Sequence, residues 1–238
     1  MLFFDPTYML FMVPAFLLMM ITSIYVKSSF SKWSKVPARS GMTGTEAVQR
    51  LIARAGLYGI QIQGVSGNLT DNYDPRTKVL HLSEGVSGNA SVASLAVAAH
   101  ELGHAQQDAQ GYLPLRFRAA LVPMVNIGSY LGWILIFGGL LLSSAGMVFG
   151  VNLAWLGVAF FAGGAVFALA TLPVELNASA RARVLLAETG IISGPDEQHG
   201  VSTVLNAAAL TYVAALVTAM LQLLYYVMLV GGLGRRRR

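Results

Sequence analysis

The sequence predicts a mainly α-helical membrane protein: four transmembrane helices and a small α+β domain that carries one helical turn of chemistry. Three observations point there. Hydrophobic residues make up 55% of the 238 and charged residues 11%, against about a quarter charged in soluble domains. Charge is absent over 6–26, 119–174 and 198–234, and each stretch can cross a hydrocarbon core about 30 Å thick. Between the first two lies polar chain that contains His100-Glu101-Leu102-Gly103-His104.

The first span occupies residues 1–27. Only Asp5 precedes its apolar run, and Tyr25-Val26-Lys27 follows it. A cleaved signal peptide needs a basic start and a small-residue cleavage site, so an uncleaved helix is expected. A membrane-proximal domain takes 28–118; Lys27 precedes it, and Lys32, Lys35 and Arg39 follow in a Ser-rich connector. Thr43 and Glu46 form a capping-box pattern. Ala47, Val48, Leu51, Ile52 and Ala55 then repeat at helical spacing up to Gly56, a C-terminal stop.

Ile60-Gln61-Ile62-Gln63 and Thr77-Lys78-Val79-Leu80-His81-Leu82 alternate as strands do, with Leu80 and Leu82 on one face. They are expected to pair antiparallel. Asp71 and Asp74, in the turn-rich stretch between them, read as Asx-turn residues rather than calcium ligands. An Ala-rich helix is expected over 91–110, ended by Gly111-Tyr112-Leu113-Pro114.

The 56 residues of 119–174 would make a helix of about 84 Å, so two spans are expected, 119–145 and 146–174. The break falls near Ser143-Ser144-Ala145-Gly146 or Gly150-Val151-Asn152. Gly138-Gly139 and Gly163-Gly164 either let helices approach closely or are merely tolerated. A helical segment 175–202 follows, then a fourth span 203–231 and a basic tail 232–238.

His100 and His104 are four apart and share a helix face, so both can hold one metal ion, with Glu101 beside it. Zinc accepts imidazole nitrogen and brings a bound water's pKa to about 7, and Glu101 is the residue placed to take that water's proton. The chain has no cysteine, so any further ligand is His, Asp or Glu. Glu175, Glu188, Asp196, Glu197 and His199 are the downstream candidates. Glu175 is favoured: it follows an apolar span directly, where a charge is usually functional, and its Ala-rich surroundings are helical. His199 reads as a loop residue. The zinc would then lie close to the bilayer surface. Twelve of the 16 Lys and Arg fall in 27–118 or 175–203, which puts that side in the cytoplasm. With four spans the tetra-arginine tail falls on the other side, against the same rule.

At Thr70-Asp71-Asn72-Tyr73-Asp74-Pro75-Arg76-Thr77, Ala98-Ala99-His100-Glu101-Leu102-Gly103-His104-Ala105 and Pro173-Val174-Glu175-Leu176-Asn177-Ala178-Ser179, the chain resembles the YugP-type bacterial neutral zinc metallopeptidases. The resemblance covers nearly the whole length, including 205–212. It implies a multi-pass bacterial membrane endopeptidase with a zincin-like domain, His100 and His104 as ligands and Glu101 as catalytic acid/base. A looser similarity is to the HtpX-like membrane gluzincins, whose third-ligand motif maps onto Glu175 to Ser179. Ser179 stands where that family has an Asp that orients a ligand histidine, and Asn177 or Asp108 are the residues that would take over.

The expected activity is zinc-dependent hydrolysis of peptide bonds in membrane-associated or misfolded proteins, with Arg181, His81 or Tyr212 as oxyanion candidates. The partners are protein or peptide substrates and the lipid bilayer. Nothing reads as a nucleic-acid interface or specifies an oligomeric state. The alternatives are a non-proteolytic zinc-binding membrane scaffold and a membrane hydrolase of another amide.

Overall fold

The computed structural model describes residues 5–235. They form seven helices and three strands: α1 (Pro6–Trp33), α2 (Gly44–Ala55), β1 (Gln61–Val65), β2 (Asn72–Asp74), β3 (Val79–Ser83), α3 (Glu84–Ser87), α4 (Val92–Ala109), α5 (Leu113–Ser144), α6 (Phe149–Glu188) and α7 (Pro195–Arg235). Four of these helices, α1, α5, α6 and α7, are long and apolar enough to cross a membrane. The break between the second and third falls at 145–148, the earlier of the two expected places. Each apolar helix outruns its predicted span, because polar residues continue the helix where hydropathy stops. Arg236 to Arg238, and with them most of the tetra-arginine tail, lie outside the described residues.

The described chain divides into two compact units. The first takes residues up to 21, 117–172 and those from 212 on. Within it a glycine seam joins α5 and α6. A Cβ on Gly139 would stand 2.5 Å from the Ala154 nitrogen and 2.6 Å from the Gly150 carbonyl oxygen, and one on Gly157 would stand 2.7 Å from the Ile136 nitrogen. Only glycine lets backbones approach so closely. Gly138, Gly163 and Gly164 meet nothing within 4 Å, so of the two predicted pairs only Gly139 serves the seam. Tyr226 packs edge-on against Phe161 and Trp133, with ring centroids at 4.9 and 5.6 Å. Outward faces carry Leu10, Phe16, Ile127, Ile134, Leu141 and Leu169, an exterior suited to hydrocarbon.

The second unit takes 22–116 and 173–211. Its core is built on α4, whose Leu95, Ala96, Ala98, Ala99 and Leu102 are fully buried with Val48 and Leu51 of α2, Leu80 and Leu82 of β3, and Leu186 and Leu205. The Ala-rich sequence permits this: small side chains let neighbours crowd a helix from several sides. The caps follow the sequence. Thr43 and Glu46 close a reciprocal box on α2, and Gly56 ends it. The Ser91 hydroxyl accepts the Ser94 N–H at the start of α4.

The sheet departs from expectation. Its order is β1-β3-β2, and β1 pairs with β3 in parallel. Within the stretch predicted as turns, 72–74 forms β2, which pairs antiparallel with β3. The chain thus reverses twice between β1 and β3, which leaves them running the same way; the long connection a parallel pair requires is present. Leu80 and Leu82 do share the buried face of β3. Asp74 makes the local turn expected of it, accepting from the Arg76 N–H and the Thr77 hydroxyl at 2.8 and 3.0 Å. Asp71 instead reaches across to accept the N–H and hydroxyl of Ser83 at 2.7 and 3.0 Å.

Candidate metal centre

Two helices of the second unit supply the centre. On α4 the i, i+4 spacing turns His100 and His104 to one side. On α6, Glu175 and Ser179 are likewise four apart. The approach of the two helices depends on Gly103, inside the pentapeptide. A Cβ there would stand 2.6 Å from the Ala178 carbonyl oxygen, so any side chain would force the helices apart.

The Oε2 atom of Glu175 lies 3.2 Å from Nε2 of His100 and 3.3 Å from Nε2 of His104. One ligand atom from each of the three lies within 4.8 Å of the others. The imidazoles meet edge to face, with centroids 4.9 Å apart. Glu175 is 3% exposed and Glu101 and His104 each 9%, so the acids sit almost out of water.

The donor set suits zinc. Two nitrogens and one carboxylate oxygen are ligands zinc takes, and two donors bound at roughly 2.0–2.2 Å to a tetrahedral ion lie about 3.3–3.6 Å apart. The two His–Glu separations here are close to that. Each imidazole is also held from behind: Ser179 Oγ lies 3.2 Å from Nδ1 of His100, and Gln107 Oε1 lies 3.0 Å from Nδ1 of His104. Such support fixes which nitrogen faces a metal.

Burial pushes the Glu101 carboxyl above its ordinary value; the charges of His100 and His104 oppose this, and Glu175 and Asp71 add to it. Burial works against a charge on His104, yet Glu175, Glu101 and Gln107 together outweigh it and hold its pKa above the usual imidazole value.

The remaining predicted residues are distributed as follows. Ser179, in the place of the Asp of the similar family, touches His100 directly. Asn177 does not touch a histidine: its Oδ1 accepts from Gln107 Nε2 at 3.0 Å and from Arg181 Nε at 2.7 Å. Arg181 also donates to Gln110 at 2.7 Å and lies over the Tyr112 ring, which makes it a brace between α6 and the end of α4. Asp108 faces elsewhere, accepting from the Tyr73 hydroxyl at 2.7 Å and pairing with Lys78. That contact and burial push the Tyr73 phenol up, burial being the larger cause. His81 stands on the face of β3 opposite Leu80 and Leu82 and is not in the cluster. Tyr212 belongs to the first unit. His199 lies in α7, not in a loop, because Pro195 opens that helix four residues earlier; it sits edge-on to Trp33. Gln107 and Gly103 carry no signal in the sequence, since their partners lie some seventy residues away.

A family profile described as "Putative neutral zinc metallopeptidase" matches residues 8–231. The chain belongs to this family. A curated relative, "Putative membrane protease YugP" of Bacillus subtilis (strain 168), is 44% identical over 204 residues, which is 86% of this chain and 88% of the relative. No solved structure matches. His100, His104 and Glu175 are, by their geometry, a set that could hold a metal ion.

Proposed function

We propose that this chain is an integral-membrane zinc endopeptidase of the bacterial cell membrane, with His100, His104 and Glu175 as ligands and Glu101 as acid/base. The observation that carries the reading is the convergence of two imidazole Nε2 atoms on one buried carboxylate, 3.2 and 3.3 Å away. When bound, zinc would polarise the scissile carbonyl and acidify water. Glu101 accepts the proton of the attacking water and delivers it to the leaving amine. Burial raises its pKa, which makes the carboxylate a stronger base for that first transfer. Ser179 and Gln107 hold the two imidazoles, and the apolar core of α4 shields the far side from water.

The centre is proposed to face the cytoplasm, following the excess of Lys and Arg in 27–118 and 175–203. Glu175 follows the uncharged stretch directly, which favours membrane-associated or misfolded chains as substrates. An extended substrate is proposed to pair with the outer edge of β2, an edge strand anchored to α4 through Tyr73 and Asp108. Peptides with proline on both sides of the scissile bond should then be cut poorly, and unchanged cleavage removes the pairing.

The main test compares metal content and proteolysis of casein and of a membrane substrate in wild type, Glu101→Gln and Glu175→Ala. The proposal expects Glu101→Gln to keep zinc and lose hydrolysis, and Glu175→Ala to lose both. Full biological activity in Glu101→Gln would favour a non-proteolytic zinc scaffold. Turnover of a non-peptide amide with no proteolysis would favour another hydrolase.

A further inference from the structure

Gln107 is fully buried, one turn beyond the pentapeptide on α4, and a buried primary amide must satisfy both ends. One end lies 2.8 Å from the Val174 carbonyl oxygen and 3.0 Å from Oδ1 of Asn177. A backbone carbonyl can only accept, so the atom facing it must be Nε2, the donor. The other end is therefore Oε1, an acceptor only, and it lies 3.0 Å from Nδ1 of His104. That nitrogen must supply the proton. In the neutral ring Nε2 is left with its lone pair, 3.3 Å from the Oε2 of Glu175. Two acceptors face each other across that gap, an arrangement that a cation between them resolves. His100 has no such constraint, because the Ser179 hydroxyl behind it can donate or accept.

We propose that Gln107 is a positioning residue that locks His104 as its Nδ1–H tautomer, with the Val174 carbonyl as the fixed acceptor that orients the amide. The inference rests on the zinc-centre reading and extends it: the peptide bond before Glu175 dictates which nitrogen its fellow ligand offers. Asn177, pinned in turn by Arg181 Nε at 2.7 Å, reinforces the same orientation.

The test uses full-length protein in detergent, labelled with ¹⁵N-histidine, as wild type, Gln107→Met and Gln107→Glu. The chain holds only four histidines, and His104 is assigned by its own replacement. Metal-free protein is examined at a pH raised until the ¹⁵N shifts themselves report neutral rings. Wild type should show His104 as the Nδ1–H tautomer. Gln107→Met should release it to a mixture and weaken zinc binding about 10–100-fold, the usual cost of losing such a partner. Gln107→Glu keeps an acceptor for Nδ1–H when its carboxyl O–H replaces Nε2–H toward the Val174 carbonyl, so it should keep the tautomer and bind zinc more tightly than Gln107→Met. A merely structural glutamine would lower thermal stability in both variants and leave the tautomer alone.

An Nε2–H His104 in wild type overturns the inference, whether or not Gln107→Met folds. So does equal weakening by Met and Glu, or wild-type affinity in Gln107→Met. Because the tautomer is read without metal, a wild type that binds no zinc would sink the zinc-centre reading while this inference is judged separately.

Discussion

The same device is used twice in this chain, for different ends. In the membrane-helix unit, Gly139, Gly150 and Gly157 bring α5 and α6 into backbone contact, and what they gain is packing. Lipid offers no hydrophobic drive between helices, so close approach must supply the attraction. In the other unit, Gly103 brings α4 against α6 at Ala178, and there the approach sets two imidazoles beside a carboxylate. A glycine in a helix interior costs about 1 kcal/mol relative to alanine. The seam recovers that in contacts; the centre converts it into geometry. A glycine's purpose is therefore read from what lies near it within a turn of the helix, which is Ile136 and Ala154 in one case and His100 and His104 in the other.

If that contrast holds, variants should separate turnover, metal and stability. The largest effect is expected for Glu101→Gln: hydrolysis down about 10²–10⁴-fold, the usual weight of acid–base catalysis, with zinc stoichiometry and melting temperature unchanged. Next comes Gly103→Ala, where overpacking costs about 1–3 kcal/mol and zinc occupancy falls with it. Gly139→Ala should lower the melting temperature in detergent by a similar mechanism yet leave the zinc affinity of the folded protein alone. Equal zinc loss in both glycine variants, measured by metal analysis of the folded fractions, would erase the distinction.

A smaller effect is expected from Tyr73→Phe, which removes one hydrogen bond to Asp108, worth about 1 kcal/mol, and loosens the hairpin without touching metal content. Smallest is the cap of α2. The Thr43 backbone N–H and then its hydroxyl hold the Glu46 carboxyl below its ordinary value of 4.5. Its contribution is thus complete above that pH and is lost as the pH falls through the lowered value. Thermal melts of wild type and Glu46→Gln should converge in acid; a constant gap across the range would show that the charge plays no part.

Much of this was legible in the residues. Uncharged stretches gave four apolar helices, and the i, i+4 histidines gave the face they share. Glu175 stood out as the first charge after an apolar run. The rest was hidden because it depends on distant partners. The parallel pairing of β1 and β3 follows from β2, a three-residue strand inside a stretch rich in turn residues. Gln107 looks like any polar residue near a helix end until the Val174 carbonyl is seen beside it. Asp108 looked like a candidate support for the ligands by proximity in sequence, but its place on α4 turns it toward Tyr73 and Lys78.

Two ring nitrogens set within 3.3 Å of a single carboxylate also make the centre a point where solution acidity and metal supply are linked. With a divalent ion bound as proposed, hydrogen ions would contend with it for the same three atoms, and uptake of one would expel the other. Loading should acidify a weakly buffered sample, and apparent affinity should climb as the medium becomes more alkaline.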